Sequence, residues 1–530
     1  MMSTQDNEYL SSSYPRLLLV IFRPPSRHTY GFQDGNIYDL PLLELQTLIH
    51  NTDCCQDGSI QFIPVVANRN NGNSTNQLVL QQRQSRNQLK KKRLKKKKNS
   101  RDDSLQCLYW IVVNNNYSNN NDDVHHIISN AASRAILTHA LFEVKYSTSF
   151  RNDDWISVDI TNIGEGKIAL FLEKFEVVNM SNTNMSNEER SSLIGRISVL
   201  LQQNNHDDVQ HLHHQMKSLG DDKVLIYHCS SSSSSQQSDI SHFIHVGKRM
   251  AIGPAGTRGA PSQTLRRTHR GILKEYALKR RVGTTTNGAT SNISTAMEPE
   301  LGFIMGNLAL TGHDGVGQRV LDPCCGSGSL LLYAAALGAT NLVGVDSDSS
   351  VFESAKDEFK RHMGVLTDEK SGSVISRLAI PRFIHGDVLD PSSTECLCTA
   401  NSFDSIVCDP PYNIGAPVLI GGEDARPINY HRDDSEEKED DGPTSVQIDM
   451  IIPSILAIAR NVLINGGRLV FFLPVRGEEM SMSLEQVLSK KGWQLSGTDD
   501  EQLQIQFGRL QHFSPTFARW LVCMTKYVQK

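Results

Sequence analysis

The sequence predicts an α/β fold with a mostly parallel, doubly wound sheet in its C-terminal half, and three segments predict it. Arg319-Val320-Leu321 is a short apolar strand that enters the glycine-rich turn Asp322-Pro323-Cys324-Cys325-Gly326-Ser327-Gly328-Ser329 and then the helical run Leu330 to Leu337. Asn341 to Asp346 is a second apolar strand, ending in an acid. Phe403 to Cys408 is another, stopped by Asp409-Pro410-Pro411-Tyr412. Strand, glycine-rich turn and helix in that order open a doubly wound sheet. Ahead of residue 270 the pattern is one of shorter strands mixed with helices.

Each element points to a ligand at the carboxyl ends of the strands. In the first turn the glycines let the backbone approach a ligand closely. It lacks the lysine of a phosphate-binding P-loop and departs from the G-x-G-x-x-G dinucleotide fingerprint. A leading acid, Asp322, suits a ligand with an ammonium group. Asp346 lies at a position from which a carboxylate accepts hydrogen bonds from two ribose hydroxyls. Arg382 to Asp387 reads as a third strand, with Asp387 placed to hold an adenine amino group. At the fourth strand end, two successive prolines fix the backbone and remove two N–H donors, so the strand must stop there. The carboxylate of Asp409, the carbonyl of Pro410 and the ring of Tyr412 then form a set of parts for gripping a flat ring through its exocyclic amine. Singly, each piece has an ordinary explanation: a turn, a helix N-cap, a proline break. Four in order, each at a strand end, do not.

Composition bounds the remainder. A chain of 530 residues buries more than one core, in two or three domains. The net charge of −5 hides segregation: Lys90 to Lys98 is almost wholly basic and Asp433 to Asp441 almost wholly acidic. Ten cysteines, with adjacent pairs at Cys54-Cys55 and Cys324-Cys325, form no disulfide framework. No paired C-x-x-C motif offers a zinc site, so no metal is expected. A polar start, Met1 to Leu10, and the lack of any long apolar run predict a soluble intracellular protein with no membrane partner. His206, His211, His213 and His214 stand in a polar stretch and read as surface residues.

Residues 10–150 read as one unit, with a strand at Leu17 to Phe22, a helix around Leu42 to Ile49, a strand at Cys107 to Val113 and a helix from Ile127 to Phe142. An insert at 66–104, rich in Asn, Gln, Lys and Arg, cannot build a core and is expected to be disordered. Residues 155–250 hold a polar helix around Asn187 to Leu200 and a strand at Lys223 to Tyr227. A Gly/Pro/Arg-rich linker over 251–270 carries Arg266, Arg267 and Arg270, candidates for phosphate contact. Residues 271–530 form the doubly wound domain.

Asp322 to Ser329, Gly344 to Asp346, Gly386-Asp387 and Asp409 to Tyr412 resemble the motifs of class I, S-adenosylmethionine-dependent amino-methyltransferases. Outside them, Tyr276 to Arg281, Ala296 to Asn307 and Leu463 to Pro474 are similar to segments of the tRNA guanine-10 N2-methyltransferase catalytic subunit family. The resemblance implies a Rossmann-like methyltransferase domain preceded by a ferredoxin-like domain and an RNA-binding THUMP domain. It implies S-adenosyl-L-methionine as cofactor, bound by Asp322, Pro323, Gly326, Gly328, Asp346 and Asp387. Catalysis falls to Asp409, Pro410, Pro411 and Tyr412, tRNA is the substrate, a small zinc-binding activator protein is the partner, and the site of action is the cytoplasm, with a nuclear fraction if the run 90–98 is a targeting signal. Methylation of adenine N6 in RNA or DNA is the alternative, and a non-catalytic RNA-binding subunit a third. The chain departs from the family in Asn413-Ile414-Gly415, where Gly-Ile-Arg is usual; Arg426 or Arg432 is a candidate replacement for the missing arginine.

Overall fold

A computed structural model of the chain describes residues 17–22, 39–50, 60–64, 108–113, 121–151, 175–180, 186–204, 223–231, 240–254, 282–284, 290–292, 297–310, 317–363, 380–390, 402–411, 419–420, 426–427, 444–493, 495, 501–513 and 516–528. The chain divides into two compact units, residues 1–24 with 53–268, and residues 25–52 with 269–530.

The first unit is one seven-stranded sheet. It contains β1 (Leu17–Phe22), β2 (Ile60–Pro64), β3 (Leu108–Val113), β4 (Thr138–Arg151), β5 (Glu176–Asn179), β6 (Lys223–Ser231) and β7 (Ile240–Ile252), in the order β2-β3-β1-β4-β7-β6-β5. Only β5 and β6 pair in parallel. The two segments that the sequence separates near residue 150 thus share a sheet, joined where β4 pairs with β7. The helix expected from Ile127 to Phe142 is instead a helix over Asn121–Arg134, followed after a short turn by β4. Leu137 to Phe142 is apolar enough for either structure, and pairing on both sides, with β1 and β7, decides for the strand. The long helix Asn187–Asn204 covers one face through Leu193, Ile194, Ile197 and Leu200, packed on Leu225 and Ile244.

Histidines are buried in this sheet. His228 Nε2 lies 3.0 Å from His245 Nε2, and His245 Nδ1 is 2.7 Å from Ser147 Oγ. Tyr227 OH is 2.8 Å from His242 Nδ1. Burial pushes His228 down to about 4, and burial with the nearby Arg196 cation does the same to His242. The unfolded chain, with ordinary histidines, binds more protons than the folded one below about pH 6.5. Stability is therefore full above that value and lost as the pH falls toward about 4. Between about pH 7 and pH 5, His228 alone should cost the first unit about 2 kcal/mol. Urea unfolding followed at the two pH values measures it, and His228→Phe should reduce the difference while leaving the part due to His242.

The second unit takes α1 (Asp39–His50) from the N-terminal region. Labelling all helices in chain order, Asn121–Arg134 is α2 and Asn187–Asn204 is α3. They are followed by α4 (Pro299–Ala309), α5 (Ser329–Ala336), α6 (Val351–Met363), α7 (Thr444–Val462) and α8 (Leu484–Lys491). The strands continue with a small ribbon of β8 (Val282–Thr284) and β9 (Thr290–Asn292). Next come β10 (Arg319–Asp322), β11 (Asn341–Asp346), β12 (Arg382–His385), β13 (Phe403–Cys408), a ribbon of β14 (Leu419–Ile420) and β15 (Arg426–Pro427), β16 (Leu463–Arg476), β17 (Glu501–His512) and β18 (Phe517–Val528). The main sheet runs β12-β11-β10-β13-β16-β18-β17. Its first five strands are parallel, and β18 is antiparallel to both β16 and β17. This is the Rossmann-like, doubly wound sheet that the motifs predict. Its core is a layer of Leu321, Val343, Val345, Ile406, Leu469 and Phe471 packed beneath Ile452, Ile455 and Leu456 of α7.

Several polar contacts fix the site's foundations. At the other end of the strands from the motifs, Arg319 grips Asp404 with Nε at 3.0 Å and Nη2 at 2.9 Å, locking β10 to β13. Burial raises the Asp404 carboxyl, but the hydrogen bonds from Arg319 outweigh it and hold it below the usual carboxylate range. The last carbonyls of α4, orphaned at a helix end, are taken by Ser405 Oγ on Ala309 O and by Arg468 Nη1 on Leu308 O. Buried Asn307 of α4 donates to buried Glu44 of α1 at 2.7 Å, which explains why α1 groups with this unit. Gly302 meets the Tyr333 ring so closely that a Cβ would lie 2.1 Å from Cδ2. Tyr333 is fully buried and its hydroxyl is tied to Met297 O, so it has nowhere to move. Gly302→Ala should destabilise this unit by about 1–3 kcal/mol, read from its denaturation midpoint.

Candidate active site

The order of the main sheet reverses at β10, which lies between β11 and β13. At such a switch point the loops leave in opposite directions and open a crevice at the carboxyl ends of the strands. Asp322, Asp346 and Asp409 end, or directly follow, the three strands that meet there, and Asp387 follows the next strand, β12.

The glycine-rich turn is laid down on β11. Cys325 N–H donates to Val345 O at 2.8 Å, and Gly328 N–H donates to Cys325 O at 2.7 Å. Gly326 and Gly328 have φ of 47° and 70°, left-handed values that glycine takes without strain. The close seat needs a third glycine: a Cβ on Gly344 would fall 2.8 Å from Cys325 Sγ. Pro323, buried, starts the turn. Asp346 ties the turn to β11, its Oδ2 accepting from Gly326 N–H at 2.7 Å and its Oδ1 from Asp348 N–H at 3.0 Å. Each oxygen keeps a lone pair for another donor. Asp387 Oδ1 accepts from Leu389 N–H at 2.9 Å, which holds its own turn.

Electrostatics show how tightly the acids are gathered. Burial pushes the Asp322 carboxyl well above the usual range, and the carboxylates of Asp346 and Asp409 push it further; the Cys324 N–H, at 3.2 Å, opposes them. Burial also raises Asp346 against the pull of its two backbone donors. A hydrogen bond with Cys408 lowers the Cys324 thiol, but burial and the three carboxylates Asp322, Asp346 and Asp387 outweigh it and leave it raised. Buried acids with several like charges around them favour a cation as neighbour. Among the described residues no group of three or more His, Cys, Asp and Glu side chains is arranged to hold a metal ion.

Asp409 and Pro410 stand where the sequence puts them, at the end of β13, with Pro410 buried and Pro411 half-buried. Tyr412, Asn413 to Gly415 and Arg432 lie outside the described residues, as do the basic run 90–98 and the linker arginines. A group not foreseen joins Asp409 from 110 residues away: Arg519 Nη1 lies 3.3 Å from Asp409 Oδ1. Because β18 runs against β16, its first residues arrive at the same edge as the carboxyl end of β13. The Arg519 guanidinium is over-determined. Its Nε donates to Gln511 Oε1 at 2.8 Å, and its carbon sits 3.6 Å over the Phe472 ring and 4.8 Å over that of Phe513. One sequence signal marks it: a lone charge within the apolar run Phe517 to Met524, which has to find a partner when buried.

Residues 290–416, which contain the turn and Asp409, match the family described as RMKL-like, methyltransferase domain. This stretch is similar to a methyltransferase domain. Several curated proteins similar to part of the chain share one name. The tRNA (guanine(10)-N(2))-methyltransferase TRMT11 of Dictyostelium discoideum is 32% identical over 187 residues, 34% of this chain and 33% of that protein. The proteins of that name from Mus musculus and Homo sapiens are each 27% identical, over 209 and 214 residues, covering 39% of this chain and 42% of theirs. The chain thus spans a third to about two fifths of the length of these curated relatives. Among solved structures, TrmN from Thermus thermophilus covers 96% of this chain and 99% of its own at 13% identity, with a TM-score of 0.35, a likeness too slight to carry an argument. The likeness to methyltransferases therefore rests on the motifs, the sheet order and the sequence match.

Proposed function

We propose that the chain is the catalytic subunit of a tRNA methyltransferase that moves a methyl group from S-adenosyl-L-methionine to the exocyclic N2 of guanine at position 10. The observation that carries it is the gathering of Asp322, Asp346 and Asp409 at the switch point of a doubly wound sheet, with Asp409 clamped by a buried arginine. The curated relatives' printed names supply the base and the RNA. An activator subunit that binds zinc, a THUMP-like role for residues 155–250, and a cytoplasmic location belong to the same reading.

The residues present fit the cofactor. Asp322, which the neighbouring carboxylates and burial leave short of positive charge, suits an α-ammonium, and the left-handed turn leaves open space beside Gly326 for a close neighbour, while Gly328 packs against Ala355, Phe359 and Phe383. Asp346 has lone pairs for ribose hydroxyls, and Asp387 for an adenine amine. When bound, S-adenosylmethionine supplies an electrophilic methyl on a positively charged sulfur.

The chain's own work is to hold the amine. The lone pair of a guanine amine is delocalised into the ring and is a poor nucleophile. The Asp409 carboxylate and the Pro410 carbonyl accept its two N–H bonds, which favours the pyramidal geometry of attack. Positioning of this kind supplies much of the rate. Asp409 need not be a strong base, because the amine becomes acidic only once it is alkylated. Tyr412 stacks on the base, which must first leave its stem at a cost of a few kcal/mol.

Cofactor binding should be linked to protons. A cation at Asp322 favours the ionised carboxyl, whose proton affinity is raised in the free protein. Binding therefore releases a proton at pH values near or below that raised pKa, and affinity rises with pH through that range. Calorimetry in buffers of different ionisation enthalpy reads the released proton, and Asp322→Asn should remove it.

The reading itself is tested by giving the chain, co-expressed with a candidate activator, methyl-labelled S-adenosylmethionine and unmodified tRNA. Label in the tRNA supports it; cofactor binding without label in any RNA overturns it.

A further inference from the structure

We propose that Arg476, at the carboxyl end of β16, takes a phosphate group of the RNA backbone next to the target base. The inference rests on reading the site as one that acts on an RNA base, and it adds a phosphate subsite to the residues that hold the amine.

β16 pairs in parallel with β13 as far as Cys408 and Phe471, then runs on from Phe472 to Arg476. Arg476 therefore stands beyond the strand end that carries Asp409. Residues paired across an antiparallel ladder point to one face, and side chains alternate along each strand. Pro474 pairs with Arg519 and Arg476 with Phe517, so the two arginines share a face. Leu473, Val475, Ala518 and Trp520 join the core on the other. Two residues of strand, about 7 Å, separate the level of Arg476 from that of Arg519. A single nucleotide spans a distance of that order between its base edge and its own phosphate.

The two arginines differ in what they hold. Arg519 reaches the Asp409 carboxylate at 3.3 Å. Arg476 makes no ion pair or hydrogen bond among the described residues. Its Nε is buried without a partner, and its guanidinium carbon lies 5.5 Å from the centre of the Phe517 ring. The acids that follow it in the chain are taken: Glu478 lies 3.8 Å from Lys490, and Glu479 lies 3.0 Å from Lys491. A half-buried guanidinium whose donors lack acceptors is short of an anion. Room for one lies alongside. A Cβ on Gly477, which has a φ of 54°, would meet nothing within 4 Å. The planar fork of donors on a guanidinium matches the oxygens of a phosphodiester. An arginine with a purely structural task closes that fork on a carboxylate, as Arg319 does on Asp404.

The probe is unmodified tRNA, whose binding to the full-length chain is followed across salt concentrations. Each phosphate contact on RNA adds roughly 0.7 to 0.9 to the slope of log affinity against log salt. Arg476→Met keeps the packing on Phe517 and loses the charge. It should lower that slope by about one contact and weaken binding about tenfold at low salt. Arg476→Lys should keep the slope, and S-adenosylmethionine affinity should stay unchanged in both variants. A slope in Arg476→Met equal to that of the wild type would overturn the proposal, as would failure of the wild-type chain to bind tRNA. A fall in cofactor affinity with the slope unaltered would also overturn it, assigning the guanidinium to the cofactor's carboxylate. An Arg476-dependent slope in a chain that methylates no tRNA would uphold the phosphate contact while removing the proposed function. Methylation of tRNA by a chain whose slope is independent of Arg476 would do the reverse.

Discussion

Asp409→Ala should lower kcat about a hundredfold to a thousandfold with little change in cofactor affinity. Asp409 follows β13 and Asp346 ends β11, on the other side of β10, so in the proposed reading the work of Asp409 is confined to the amine. Losing it removes the acceptor that sets the amine's geometry, a contribution made mainly in the transition state. Asp409→Asn keeps one acceptor oxygen and should fall less far. Single-turnover methyl transfer together with cofactor titration separates these effects. A fall in affinity equal to the fall in rate would place Asp409 with the cofactor instead.

Arg519→Ala should cost about a hundredfold in kcat, again with cofactor affinity kept. Arg519 touches the Asp409 carboxylate and is a positioning residue. Its three tethers, Gln511, Phe472 and the carboxylate itself, hold the guanidinium in a single pose. Without it the carboxylate keeps its charge and loses its orientation. Arg519→Lys retains the cation but not the planar fork, so it should recover part of the rate. A merely structural arginine would show loss of rate in step with loss of folded protein. Thermal unfolding of both variants beside their rates tells these apart.

Much of the site was legible because its parts are local. The turn after β10 announces itself by Asp322, Gly326 and Gly328 within a few residues, and the end of β13 by two prolines that no strand interior accommodates. Strand identity followed from apolar runs, and β10, β11 and β13 lie where those runs predict. What is carried by distant pairing was not legible. Arg519 meets Asp409 only because β18 runs antiparallel beside β16, which no local pattern specifies. The apolar face of α1 was evident, but that it would pack in the unit of α4, with Glu44 bonded to Asn307, depends on contact across 263 residues. The same limit explains the segment at 137–142, where local composition suits helix and strand alike and sheet pairing chooses.

The most direct measurement is nucleoside mass spectrometry on unmodified tRNA incubated with S-adenosylmethionine and the chain co-expressed with a candidate activator, wild type beside Asp409→Ala. The account predicts N2-methylguanosine from the wild type and none from the variant. N6-methyladenosine, or no methylated nucleoside from a wild-type chain that binds the cofactor, would contradict it.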